Sequence, residues 1–433
     1  MKRLFFISIA PIAAVLPAVA AAQGTPASVI IVPPLSTPEN VQTPAGWSGV
    51  IARQVADVIA ADLRSTTELV PLGPENARVY PYAEATAPSF REWRKSGAKS
   101  LVTGFVQGRP DGRITVACYL HDIAGGRELA RKGFVVAPAE WRRAAHRCSD
   151  AVYAGLTKRP GWFDTRIAYV AESGIKSARV KRIAVMDSDG TNHRYLSAGE
   201  STVLRPRLSP DGERLAYVSF AGGQPHIRLV NLSSNEDRPL LPGNAMSFAP
   251  SFSADGKRLV FSMAIDGNTD VYTANADGGA LQRLTSTPGI DTSPSFSPDA
   301  TRIVFESDRS GTPQIYTMNA DGSAQRRMSF GGANYQSPAW SPDGDLIAFT
   351  RRAGDGLRVG VMSATGVNER ILTRGPDDEA PSWSAGGREL LFQRTAGARS
   401  GLYLVSVEGV EGRRIVTPQD ASDPHWSTSG AGR

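Results

Sequence analysis

A seven-residue stretch, Ser293-Pro294-Ser295-Phe296-Ser297-Pro298-Asp299, recurs along this chain at a nearly fixed interval. Related copies read Arg-Pro-Arg-Leu-Ser at 205–209, Ala-Pro-Ser-Phe-Ser at 249–253, Ser-Pro-Ala-Trp-Ser at 337–341, Ala-Pro-Ser-Trp-Ser at 380–384 and Asp-Pro-His-Trp-Ser at 423–427. Their prolines, Pro206, Pro250, Pro294, Pro338, Pro381 and Pro424, are spaced by 44, 44, 44, 43 and 43 residues. A period of about 40–45 residues with strand-like content is the mark of a β-propeller.

Each repeat reads as four short strands. The Pro-x-aromatic-Ser piece opens the first, where proline is tolerated because an edge or a first residue can do without its N–H. Ser209-Pro210-Asp211-Gly212 and Ser341-Pro342-Asp343-Gly344 suit a type I turn. Short apolar runs follow as second strands: Leu215-Ala216-Tyr217, Leu259-Val260-Phe261, Ile303-Val304-Phe305, Ile347-Ala348-Phe349 and Leu390-Leu391-Phe392. Third strands such as Val271-Tyr272-Thr273 run into Asp-Gly turns, and Arg283-Leu284-Thr285 typifies the fourth. Residues 165–197 supply a second, third and fourth strand with no motif before them, whereas 424–427 supply a first strand alone. Joined, these fragments make one more unit. The expected architecture is a small α/β N-terminal domain followed by an all-β six-bladed β-propeller, closed by strands from both ends of the repeat region.

Lys2-Arg3, the apolar run Leu4 to Leu16 and small residues through Ala22 read as a secretory signal peptide over 1–22. The run is too short to span a bilayer, which takes about 20 apolar residues. Residues 23–46, rich in Pro, Thr, Ser and Ala around Val29-Ile30-Ile31-Val32, read as a partly mobile segment. A small α/β domain is expected over 47–160, with Ile51, Val55, Val58, Ile59 and Leu63 at helical spacing and a closing helix from Trp141 to Leu156. The propeller occupies 161–433. The formal charge of +6 falls to about +4 once Lys2 and Arg3 are removed, and no basic cluster is interleaved with aromatics. Nucleic-acid binding is therefore not expected.

Catalytic signals are lacking. The five histidines are dispersed without metal-ligand spacing, and Asp187-x-Asp189-Gly190 lacks the third acid and closing glutamate of a calcium loop, so it reads as a turn. No Gly-x-Ser-x-Gly occurs. A serine repeated in every copy of a motif is architectural, since catalysis needs one distinctive constellation. No catalytic residue, metal or cofactor is expected. Cys118 and Cys148 are a candidate disulfide in an oxidising compartment, two separate thiols being the alternative. Loops at one channel mouth (246–249, 290–293, 335–337, 377–380, with 308–312 and 354–357 beside them) mix apolar anchors with acids. That mixture suits a protein-binding face as well as it suits an ordinary loop surface.

The order of parts resembles the TolB family: a signal peptide, a small α/β domain, Asp164-Thr165-Arg166-Ile167-Ala168-Tyr169-Val170, then Pro-x-aromatic-Ser-Pro-Asp-Gly repeats ending at Pro424-His425-Trp426-Ser427. Val55 to Arg64, and Trp141 with His146 and Ser149-Asp150, are similar to that family's helices. The resemblance implies a monomeric, non-enzymatic periplasmic component of the Tol–Pal system that supports outer-membrane invagination and envelope integrity during cell division. It implies the lipoprotein Pal as partner at the channel mouth, TolA on the N-terminal side, and other outer-membrane proteins as further partners. Membrane association would run through those partners. The residues that fall at the Pal contact are Met246, Phe248, Ala249, Asp291, Thr292, Asp308, Tyr335, Gln336, Asp378 and Glu379, with Met246 standing where the family has a histidine. By position alone, Val29, Ile30, Ile31 and Val32 fall in the TolA-binding segment. The alternative is an exported propeller that acts on or binds polysaccharide, which would need clustered carboxylates or a metal site in the channel.

Overall fold

The computed structural model describes residues 28–427 apart from Thr67, Asn76, Asn244, Ala245 and Asp355. The signal peptide expected at 1–22 lies outside the described residues. Strand β1 (Ser28–Ile31) is followed by a two-residue hairpin, β2 (Gln42–Thr43) and β3 (Gly46–Trp47), and by helix α1 (Ser48–Arg64). Then come β4 (Leu69–Leu72), a one-turn helix α2 (Phe90–Trp93), β5 (Ser100–Gly108), β6 (Ile114–Asp122), β7 (Arg127–Val136) and helix α3 (Trp141–Thr157). The sheet order is β4-β1-β5-β6-β7, with β1 parallel to both neighbours.

A strand flanked on both sides and covered on both faces has no polar face, hence the unbroken apolar run Val29-Ile30-Ile31-Val32. Ile30 and Val32 are buried in the core beneath α1 and α3, and Ile31 faces a second cluster built from Tyr80, Trp93 and Leu101. Within the segment 23–46, Ser28–Ile31 form this interior strand, and the Ile30 and Val32 side chains are buried. Cys118 on β6 and Cys148 on α3 are joined in a disulfide, their Cα atoms 5.9 Å apart.

The remainder is a β-propeller. Four sheets have four strands each, and a fifth has eight. The wide sheet consists of two four-stranded halves, 334–371 and 377–415, linked by a single parallel pairing of Leu357 with Asp377. Unit 1 combines β8 (Arg166–Ser173), β9 (Val180–Asp187) and β10 (Arg194–Tyr195) with the last strand, Asp420–Trp426, which pairs antiparallel to β8. Units 2 to 6 follow in sequence, beginning with Val203–Leu208, Met246–Phe252, Asp291–Phe296, Asn334–Trp340 and Asp377–Trp383.

The second strands are buried on both faces, and their repeat aromatics Phe261, Phe305, Phe349 and Phe392 are inaccessible to solvent. Each sits in a core shared by two adjacent units, as where Ile227 and Leu229 of unit 2 meet Phe261 and Tyr272 of unit 3. The motif serine locks each first turn. Ser209 Oγ accepts the Arg214 N–H at 2.9 Å, and Ser253 and Ser297 do the same for Arg258 and Arg302 at 3.0 and 2.9 Å. Ser427 performs that task for Arg166 at 2.9 Å, across 261 residues. The repeat chemistry is thus completed between distant parts of the chain.

The N-terminal domain abuts the propeller face that carries the turns between first and second and between third and fourth strands. Trp162 lies against Gly386 in one such turn, and α3 reaches the Asp189 turn of unit 1 through Arg142. The opposite face, where the first strands begin, is left open by that domain.

Candidate functional site

Every first strand carries an irregularity just before its proline. Arg205, Ala249, Ser293, Ser337, Ala380 and Asp423 all have φ between +49° and +54°, and the register slips at that point in every unit. Non-glycine residues in this region cost about 1 kcal/mol or more each, so the bulge is imposed by the surrounding sheets. These six residues ring the head of a central cavity of about 390 Å³, with the prolines and Arg207, Ser251, Ser295, Ala339, Ser382 and His425 deeper along its wall.

The cavity carries mixed charge. Arg205, Arg207 and Asp423 line it, and Glu306 and Glu379 stand within electrostatic reach of Arg205. Burial pushes the carboxyls of Glu306 and Glu379 up, against the pull of Arg205. Burial also lowers the Arg207 guanidinium to about 10, with Arg205 adding to the effect. His425 is held well below the usual histidine range by burial and by Arg207, so its Nδ1 accepts the Leu208 N–H at 3.1 Å.

Residues expected at the mouth divide by strand parity. Those three places before the proline turn into the interface between sheets. Asp291 is buried and receives Arg309 Nη2 at 2.7 Å. Asp378 is buried and receives Arg394 Nε at 2.6 Å. Tyr335 is buried with its hydroxyl donating to Glu369 Oε2 at 2.8 Å. All three side chains are buried in this structure and tie their own sheets together, although Asp291 Oδ1 is left without a hydrogen-bond partner. Ala249 is likewise buried, its role being the bulge itself.

One residue closer to the proline, Phe248, Thr292, Gln336 and Glu379 are partly exposed. Thr292 Oγ1 accepts from Ser262 of the preceding unit at 3.2 Å, and Asp308, also partly exposed, accepts the Ile290 N–H at 2.7 Å. Met246 is 37% exposed at the strand's start. Around it the same open face carries Ile265, Ile290 and Phe330 at 43%, 54% and 74% exposure. Ile265 and Phe330, and the cavity residues Arg205, Arg207, Asp423 and His425, escaped the sequence reading. The positions around each proline could have flagged the cavity residues, since they fall at fixed offsets from it.

Residues 153–430 match the family described as the TolB beta propeller domain, and residues 21–129 match the TolB amino-terminal domain. The chain belongs to the TolB family. Among curated relatives, the Tol-Pal system protein TolB of Zymomonas mobilis is 51% identical over 209 residues, which is 48% of this chain and 46% of that protein. The Tol-Pal system protein TolB 1 of Novosphingobium aromaticivorans is 48% identical over 208 residues, again 48% of this chain and 46% of that protein. The chain spans about half the length of the curated relatives it matches. The crystal structure of TolB from Acinetobacter baumannii superposes with a TM-score of 0.79 at 27% identity, covering 93% of this chain and 96% of that one. Among the described residues, no helix is long and apolar enough to cross a membrane.

A second cluster in this TolB-family chain lies between the domains. His146 on α3 faces Asp62 of α1 on one side and Asp187 and Asp189 of unit 1 on the other. Burial disfavours its charge, yet Asp62, Asp189 and Asp187 outweigh that and raise its pKa to about 9. Asp187 and Asp189 do form a turn, closed by the Gly190 N–H on Asp187 O at 2.8 Å. Their carboxylates nevertheless converge on the histidine, which no spacing in the sequence reveals.

Proposed function

We propose that this chain is a non-enzymatic periplasmic scaffold of the Tol–Pal system, binding Pal at the open mouth of its propeller and TolA through its N-terminal side. In that role it supports outer-membrane invagination and envelope integrity during division. The six four-stranded units are read as six blades of one ring, closed where Asp420–Trp426 pairs with β8. That reading is supported by first strands that touch in cyclic order, the last of them also against Val203–Leu208.

The observation that carries the Pal assignment is the set Met246, Ile265, Ile290 and Phe330, exposed apolar side chains of unit 3 and of the connections into units 4 and 5, on the face away from the N-terminal domain. Exposed apolar anchors beside a polar rim of Thr292, Gln336 and Glu379 are the make-up of a protein-binding surface. For TolA, the reading keeps the N-terminal side and, because Ile30 and Val32 are buried, assigns the contact to residues ahead of Ser28. The relatives' naming as Tol-Pal system proteins supports the assignment to that system.

The test is affinity for purified Pal, measured by calorimetry on the mature chain. Met246→Ser with Ile290→Ser should weaken it by about tenfold or more, because hot-spot apolar anchors contribute about 1–2 kcal/mol each. Unchanged affinity in the doubly substituted, folded protein would overturn the placement of Pal at this mouth. Deleting residues 23–27 should weaken TolA binding and leave the fold's melting temperature unchanged.

A further inference from the structure

Where the N-terminal domain meets unit 1, an imidazole and three carboxylates converge from three elements. His146 is 1% exposed. Its Nδ1 donates to Asp62 Oδ2 at 2.8 Å, while Nε2 has no hydrogen-bond partner. Beyond Nε2 lie the carboxylates of Asp187 and Asp189, with one donor atom from each of the three residues within 4.8 Å of the others. Asp189 Oδ2 stands 3.5 Å from Nε2.

We propose that His146, Asp187 and Asp189 form a binding site for a divalent transition metal of the zinc class, which fastens the N-terminal domain to the propeller. Asp62 orients the imidazole. A neutral histidine that donates one ring N–H to a carboxylate presents its other nitrogen as a lone pair, and this is the usual support of a metal-binding imidazole. Ligands at about 2.0–2.2 Å from a tetrahedral zinc sit about 3.3–3.6 Å apart. The donors here, within 4.8 Å of one another, need to close by up to about 1.4 Å to reach that spacing. An imidazole with two carboxylates suits zinc and its neighbours, whereas calcium takes oxygen donors alone.

The groups now on these carboxylates fit an exchange of cations. Arg142 Nη2 donates to Asp189 Oδ2, and Arg142 is partly exposed, so it can turn out to solvent when an ion takes its place. Thr191 donates its N–H and hydroxyl to Asp189 Oδ1 at 2.9 and 2.7 Å, leaving the carboxylate aimed. Asn192 Nδ2 holds Asp187 Oδ2 at 2.6 Å, and Arg166 Nε lies 4.0 Å from Asp187 Oδ1. Water completes the coordination. A proton on Nε2 competes with the ion, so binding strengthens as pH rises.

The experiment is calorimetric titration of the chelator-treated mature chain with zinc alone, followed by thermal melting with and without zinc. One ion per chain is expected, with a raised melting temperature and no response to calcium. Asp187→Asn and His146→Gln should each weaken binding by about tenfold or more, and Asp62→Asn by about 10–100-fold. Should the histidine variant fail to fold, Asp187→Asn carries the same comparison with a milder change. Absence of binding at sub-millimolar zinc would overturn the proposal and leave an electrostatic contact between the domains. Binding that survives both Asp187→Asn and His146→Gln would also overturn it, by placing the ion on other histidines such as His193 or His226.

Discussion

Replacing Asp378 by asparagine tests whether this residue supports the sheet or meets a partner. The carboxylate is fully buried and receives Arg394 Nε at 2.6 Å, Arg394 Nη2 at 3.0 Å and the Gly375 N–H at 2.9 Å. Removing one partner of a buried ion pair costs about 3–5 kcal/mol, because the other charge is left uncompensated. Arg394 would keep Glu411 Oε1 at 3.0 Å and the rings of Phe392 and Tyr403 at 5.3 and 5.0 Å, and the amide oxygen could still accept from Gly375. The loss for Asp378→Asn should therefore fall at the lower end, about 3 kcal/mol. Urea unfolding followed by tryptophan fluorescence reads it directly, since Trp383 lies in the same strand. Combining the change with Arg394→Met should cost less than the two changes summed. The neighbouring Glu379→Gln, partly exposed, should shift stability by less than about 0.5 kcal/mol. A variant at 378 that is as stable as the parent but binds Pal less well would refute the reasoning, because its side chain would then have to face the mouth.

Replacing both Cys118 and Cys148 by alanine opens a loop of 30 residues and should lower the stability of the N-terminal domain by about 3.6 kcal/mol on the chain-entropy estimate. Reductant on the parent should shift its denaturation midpoint in the same direction, and an unmoved midpoint would count against the bridge. Glu172 is predicted to contribute acid sensitivity. Burial alone would raise its carboxyl, but hydrogen bonds from Ser422 and Arg179 and the charge of Lys181 outweigh burial and hold it below the ordinary value of 4.5. A depressed folded-state pKa gives stability that is present above about 4.5 and lost as pH falls through the folded value. Glu172→Gln should therefore be less stable than the parent at neutral pH and converge with it in acid, read as denaturation midpoints across that range. A gap that persists unchanged at the lowest pH would contradict the assignment.

The propeller was legible because its period is written in proline, serine and glycine, residues whose roles in turns and edges do not depend on distant packing. The architectural reading of the motif serine needed only its repetition, and Ser209, Ser253, Ser297 and Ser427 all serve one turn geometry. Side-chain direction at the mouth was not legible. The left-handed residue before each proline interrupts the two-residue alternation of the strand, so counting back from the motif does not reveal that Asp291, Tyr335 and Asp378 are buried. The burial of Ile30 to Val32 was not legible for another reason. The stretch's apolar character marks burial on two faces, but the proline- and threonine-rich flanks look like a loose arm. The His146 cluster draws on α1, α3 and the β9 turn, and such a meeting exists only once both domains are docked.

The pairing of Asp420–Trp426 with β8 also sets a timetable. A chain synthesised from its N-terminus presents β8 early and its partner last. Until that strand arrives, β8 has one bare flank, whereas the other five units hold all their strands ahead of the seam. Joining Ser427 to Arg166 closes a loop of 261 residues, an entropy cost of about 5 kcal/mol that no local turn shares. Ribosomal stalling or proteolysis anywhere before Trp426 would therefore leave not a shortened tail but a missing wall in the first unit to be made.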